Sequence, residues 1–156
     1  MEREFEILKI GRNHLLKLVN KFTDEELMEI PDGFNNNILW NAGHIITSQQ
    51  RLCYGMSGLE LSIPIEYIAF FAKGTSPRDW KQTPDVAKLK TLIADTDTIQ
   101  NDYKKGLFKN YKPYETSYGY LLKSIDDAIA FNNIHEAIHT SAANSLSKLI
   151  KKKATF

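Results

Sequence analysis

No stretch of this chain alternates apolar and polar residues as a half-buried strand would; its apolar residues recur instead with the period of a helix. Phe5, Leu8, Leu15, Leu18, Val19 and Phe22 fall at spacings of three, four and seven, which predicts a first helix from about Arg3 to Phe22. Thr23-Asp24-Glu25-Glu26 then reads as a cap and the acidic first turn of a short helix, closed by Pro31-Asp32-Gly33. A second long pattern starts at Asn36 or Asn37, uses Ile38, Ala42, Ile45, Leu52 and Met56 as its stripe, and stops between Gly55 and Gly58. A third begins at Thr83-Pro84, a capping residue followed by a proline suited to the first helical position. It follows Val86, Leu89, Ile93, Thr96 and Tyr103 to a stop at Gly106. The fourth opens on Ser124-Ile125-Asp126-Asp127, a variant of the capping box, and runs to about Ile150. Its buried stripe reads as Ala128, Ile138, Ala142, Leu146 and Leu149, and Lys151-Lys152-Lys153 suit the negative end of its dipole.

Two long connections separate these helices. The first, 59–83, is broken by Pro64, Gly74 and Pro77, with room for one or two helical turns between Ile65 and Lys73. The second, 107–123, is rich in tyrosine and carries Pro113 and Gly119, so it reads as a loop with at most one short turn. Four long helices and two long connections predict an all-α four-helix bundle, one domain over residues 1–156.

Composition removes several functions. Twenty basic against nineteen acidic residues leave a net charge of +1, without the basic excess of a nucleic-acid binder. A lone cysteine, Cys53, excludes an intrachain disulfide and any multi-cysteine zinc site. The first twenty residues are too interrupted by charge for a secretory signal. The longest uncharged apolar run elsewhere, Ile68 to Ala72, is too short to span a bilayer. A soluble, cytoplasmic protein is expected.

The chemistry lies in the histidines. His135-Glu136-Ala137-Ile138-His139 puts two imidazoles one turn apart on the same side of the last helix, able to share one ion. A pair of hydrogen-bonded core histidines is the plain alternative. The motif suggests a zinc peptidase with Glu136 as general base, but the tail from Thr140 to Phe156 holds no Asp, Glu, His or Cys to serve as a downstream third ligand. A third ligand therefore comes from upstream. His44 is the candidate, mid-helix with Trp40 one turn before it and Gly43 beside it; a glycine there suggests close packing. His14 is a spare candidate whose expected fate is the surface. Glu136 lies about 100° around the helix from His135 and can act as a base or support a ligand; a solvated or ion-paired surface carboxylate is the ordinary alternative. Arg51, two turns after His44, can meet a substrate carboxylate with its planar fork, or be a plain surface arginine. Cys53 reads as a small buried residue rather than a nucleophile, and the tyrosines around 103–120 can roof a pocket or simply pack.

Asn37-Ile38-Leu39-Trp40-Asn41-Ala42-Gly43-His44-Ile45, together with His135-Glu136-Ala137-Ile138-His139, resembles the DinB/YfiT-like family of metalloenzymes, and helix count, spacing and length extend the likeness over nearly the whole chain. The resemblance implies an up-down-down-up four-helix bundle. It implies a divalent ion, zinc or nickel, on His44, His135 and His139. It also implies thiol-dependent S-transfer or isomerisation with small thiols such as bacillithiol, mycothiol or glutathione, in chains that often pair as homodimers. Ser141 stands where members often carry glycine. Three imidazoles would leave an open coordination position, so activation of a small-molecule thiol is the leading expectation. Hydrolysis by metal-bound hydroxide, or a non-catalytic binding or dimerising module with a vestigial site, are the alternatives.

Overall fold

In the computed structural model, residues 1–153 are described, with side chains through Ile150; the basic Lys151–Lys153 end of the last helix thus lies outside the described side chains. Among the described residues the main elements are seven α-helices and one short hairpin. They are α1 (Glu2–Val19), α2 (Asp24–Met28), α3 (Ile38–Gln49), α4 (Glu66–Phe71), α5 (Val86–Ala94), α6 (Asp97–Lys104), β1 (Tyr114–Glu115), β2 (Leu121–Leu122) and α7 (Ile125–Lys153). The all-α class stands. No described helix is long and apolar enough to cross a membrane.

The helix starts follow capping chemistry. The Thr23 hydroxyl accepts from the Glu26 amide while the Glu26 carboxylate accepts from the Thr23 amide, a complete capping box for α2. Asn37 Oδ1 accepts from Trp40 N at 2.7 Å to open α3. Ser124 Oγ accepts from the Asp127 amide to open α7, and Asp127 reaches back to the Lys123 amide. Gly58, at φ 72°, closes the run after α3 in a left-handed conformation that glycine takes without strain.

The third predicted helix is two. Asp95 leaves the helix in extended conformation, and its carboxylate accepts from both the amide and the hydroxyl of Thr98, so α6 starts afresh. Asp-Thr-Asp-Thr is a run of residues whose side chains compete for the backbone, and periodicity alone does not register that break. Its start also shifts: Asp85, not Thr83, caps α5 by accepting from the Lys88 amide. The tyrosine-rich loop holds a two-stranded antiparallel ribbon, Tyr114 opposite Leu122 and Glu115 opposite Leu121. Two-residue strands are too short to show alternation, so they could not be read from the pattern.

α1 lies against α7 and α5, and α3 lies against the same two. Lys9 meets Asp97 and Arg12 meets the Leu92 carbonyl, so α1 runs against the α5–α6 pair. Glu4 meets Asn133 and Arg12 meets Glu136, so α1 and α7 run the same way. Asn41 meets His139 and His44 packs on His135, so α3 runs against α7. The senses are up for α1, down for α3, down for α5–α6 and up for α7.

α3 is buried on every face, Ile38 through Thr47, rather than along one stripe. It is the central rod of the molecule, as a helix apolar all round should be. The stripe of α7 is also rotated from the sequence expectation. Ala128, Ile129, Asn132, Glu136, Ala143, Leu146 and Ile150 are buried, whereas Ile138 is 44% and Leu149 36% exposed. Counting apolar residues misplaces the face because two of its core positions are polar.

Gly43 marks the tightest approach. A Cβ there would stand 2.4–2.6 Å from ring atoms of Phe71, itself fully buried at the end of α4. Gly43→Ala should therefore destabilise the protein by about 1–3 kcal/mol through overpacking. Gly11→Ala, mid-helix with nothing within 4 Å, should instead stabilise it by up to about 1 kcal/mol. Urea midpoints of the two variants measure the contrast; a neutral Gly43→Ala would mean that Phe71 can move aside.

Candidate metal centre

α3 and α7 bring three histidines together. Ring centroids of His44 and His139 are 4.5 Å apart, of His135 and His139 4.6 Å, and of His44 and His135 5.1 Å. One nitrogen from each ring can be chosen so that all three lie within 4.8 Å of one another. Tetrahedral ligands at about 2.0–2.1 Å from an ion stand roughly 3.3 Å apart, so modest ring movements separate this arrangement from a coordination shell.

Each ring is held from behind. His44 Nδ1–H donates to the Phe71 carbonyl at 2.7 Å, which leaves the lone pair on Nε2. The same carbonyl accepts from the Thr47 hydroxyl. His139 Nδ1–H donates to Asn41 Oδ1 at 2.9 Å, and Asn41 Nδ2 donates to the Asn37 carbonyl. That second bond decides which end of the amide faces His139, so the lone pair of His139 is also on Nε2. Trp40 stacks on His44 with centroids 4.6 Å apart and planes within 8°. The run Asn37–His44 is thereby explained residue by residue: a cap, a stacking platform, an orienting amide, a glycine for close approach and a ligand candidate.

His135 differs. Its ring packs against Phe131, and its Nδ1 is buried with no hydrogen-bond partner. A buried polar nitrogen left alone costs about 1–3 kcal/mol. A cation shared by the three rings fits this donor set, since neutral imidazoles suit zinc and nickel alike.

Burial keeps the rings uncharged. It lowers His44, against the raising effect of the Phe71 hydrogen bond and with a smaller downward push from the Arg51 charge. Burial and then His44 lower His135 to about 4; burial, His44 and His135 lower His139 to about 3. All three therefore offer lone pairs at neutral pH.

A cavity of about 290 Å³ opens over His44 and His135. α3 and the turn after it contribute Ser48, Arg51, Leu52 and Met56; Lys73 follows α4; Tyr114, Thr116 and Tyr118 come from the hairpin. Two of the tyrosines thus do roof the pocket, while Tyr103 packs on Phe5 and bonds Asp126 instead. Gln50 does not line it, because its amide oxygen accepts from the Ser62 amide. His14 is exposed on α1, apart from the cluster. Cys53 is fully buried, and burial followed by the Glu136 charge pushes its thiol up, away from reactivity.

A family model for the DinB superfamily matches residues 7–143. The chain belongs to the DinB superfamily. No curated protein matches it significantly. Within this DinB-superfamily chain the match spans α1 to α7, and so takes in every residue of the three-histidine cluster.

Glu136 faces away from the cavity. Its two oxygens accept from Arg12 Nε at 2.6 Å and Arg12 Nη2 at 2.8 Å, and Oε1 also accepts from Asn132 Nδ2 at 2.7 Å. It is 4% exposed and Arg12 2%, so the solvated-surface alternative is corrected: this is a buried fork-to-fork ion pair between α1 and α7. Arg12 went unnoticed in the sequence, although it sits on the apolar stripe of α1 between Leu8 and Leu15. A charge on a core stripe was the available signal.

Two outcomes follow. Glu136→Gln leaves the Arg12 charge buried without a counter-ion and should cost about 3–5 kcal/mol, with the Arg12→Met/Glu136→Leu double variant recovering most of it in urea titrations. Because the folded values of His135 and His139 are depressed, the unfolded chain takes up protons first as pH falls below the ordinary 6.5. Stability of the metal-free chain should drop from there down to about pH 3, and more steeply than in a variant with both residues changed to Gln. Equal slopes would remove the histidines from the acid response.

Proposed function

We propose that this chain is a metal-dependent enzyme that activates a low-molecular-weight thiol and transfers its sulfur to a small electrophile. His44, His135 and His139 would hold the ion, zinc or nickel. The observation that carries this reading is the convergence of three uncharged imidazoles, two of which, His44 and His135, line an open cavity. A divalent cation on three neutral imidazoles keeps a further position for a small ligand and favours the ionised form of a thiol placed there.

The chain's own residues do the rest. The Phe71 carbonyl and Asn41 fix the ring orientations, so the donors are set before any ligand arrives. Trp40 packs over His44, and Phe131 over His135, which limits water at the rings. The open side of the cavity lets the thiol proton leave to solvent. The substrate's sulfur then bonds to carbon as the leaving group departs.

The choice of thiol transfer over hydrolysis has a specific support. Among the residues lining the cavity there is no carboxylate, and Glu136, the expected general base, has both oxygens engaged by Arg12. Hydrolysis of the H-E-x-x-H peptidase kind relies on that carboxylate to activate water, whereas a thiol of pKa about 8.5 ionises near neutral pH without one.

Metal analysis of the purified protein, with thiol consumption followed in the presence of an alkyl halide, tests the proposal. Near-stoichiometric zinc or nickel, lost together with turnover in His44→Ala, is the expected result. Full metal retention in His44→Ala would refute the ligand set. Stoichiometric metal with no thiol turnover would leave a binding module, and turnover of esters alone a hydrolase.

A further inference from the structure

Two cations line the cavity over His44 and His135. Arg51 comes from the turn after α3 and Lys73 from the segment after α4. Neither makes a hydrogen bond or ion pair with a described residue, and no Asp or Glu lines the cavity. Arg12 and Arg78, by contrast, are engaged by Glu136 and by the Phe34 carbonyl. Two unpaired like charges beside one cavity leave a positive field with nothing from the protein to offset it.

The backbone adds an independent sign. Residues Gln50–Tyr54 form a π-helical turn, an irregularity that costs hydrogen-bond quality and clusters at functional sites. It falls where α3 passes the cavity, and it carries Arg51 and Leu52 to the wall. Part of the remaining wall is apolar, with Leu52 and Met56 on one side and Phe131 and the Tyr118 ring, 6.1 Å from it, on the other, while Thr47, Ser48, Thr116 and Ser117 add hydroxyls.

We infer that one of the two reactants is a small organic carboxylate, its carboxylate held between Arg51 and Lys73 and its apolar part laid along Leu52, Met56 and Phe131, with its reacting end over the three histidines. The guanidinium fork matches the two oxygens of a carboxylate, and the lysine supplies the second charge. A phosphate ester shares the charge but usually draws on a cluster of backbone amides at a helix start, and no helix start lines this cavity. Where the reacting end points rests on the function proposed above; the contact between the carboxylate and the two cations does not require the ion.

Calorimetric titration of the full-length protein as purified, with metal content measured in the same sample, tests this. 3-Phenylpropionate should bind about tenfold or more tightly than 3-phenylpropionamide, since a charge-assisted pair is lost in the amide. The preference should shrink as salt is added and vanish in the Arg51→Gln/Lys73→Gln variant, whose metal content stays at the wild-type level. Both side chains are exposed, so the fold should tolerate the changes. Equal affinity for acid and amide would overturn the inference, as would an acid preference that survives the double substitution, which would put the carboxylate elsewhere. Phenyl phosphate binding tenfold more tightly than the acid, and losing that advantage in the double variant, would also overturn it in favour of a phosphate ester. Wild-type metal and thiol turnover without any acid preference would end this inference alone. An acid preference in a protein that holds no metal would end the thiol-transfer reading alone.

Discussion

The antiparallel contact between α3 and α7 is the constraint on which the molecule depends. The polar groups that α3 brings to it face partners chosen by geometry, while His135 Nδ1 on α7 has none. Asn37 caps α3 and bonds back to the Met28 carbonyl; Asn41 turns its oxygen to His139; the Phe71 carbonyl takes His44 and Thr47 together. Gly43 lets the Phe71 ring lie against α3 with no side chain between, which brings that carbonyl to His44. A helix buried on all sides has nowhere to place a polar residue except against a fixed acceptor. Buried polar groups therefore specify the register between the two helices, and the register brings the histidines together.

On the other side of α7 a second polar contact acts at the same height. The Arg12–Glu136 pair fastens α1 to the turn that lies between His135 and His139. Asn132, one turn earlier, adds a third donor to the same carboxylate. A buried pair of this kind is weak as a source of stability but costly to break, and it disfavours any slip of α1 along α7. Glu136 thus holds the histidine-bearing turn in place. His135 and His139 look toward α3 because Glu136 looks toward α1.

The cavity joins these two layers to chemistry. Its floor is imidazole, uncharged because burial penalises the cation. Its rim carries the positive charge instead, on side chains that remain in water. In that division the floor offers lone pairs, while the rim carries the positive field to which the proposed carboxylate would be drawn. The hairpin 114–122 roofs the space from an element that belongs to neither of the ligand-bearing helices. The DinB superfamily match over residues 7–143 takes in both α3 and the hairpin together with the histidine-bearing part of α7.

Much of this was legible in the linear chain. Helical periodicity marked α1, α3 and α7; capping residues marked the starts at Asp24, Ile38 and Ile125; Gly58 and Gly106, both at positive φ, marked two stops. The i, i+4 pair on α7 and the empty tail beyond it pointed to an upstream partner, and His44 is the residue that lies beside them. These are local properties, written in spacing and in the hydrogen-bonding habits of single residues. The break at Asp95 hid in a local contest between side chain and backbone, the ribbon at Tyr114 in strands too short to alternate, and the inward face of α7 in a partner far away in sequence. Glu136 belongs in the core only because Arg12 is 124 residues away in sequence and 2.6 Å away in space. Sequence alone determined the helices and the kind of ligand atoms available. Tertiary structure decided which side of each helix is inside, since the cost of burying a charge is set by its partner and not by its neighbours in the chain.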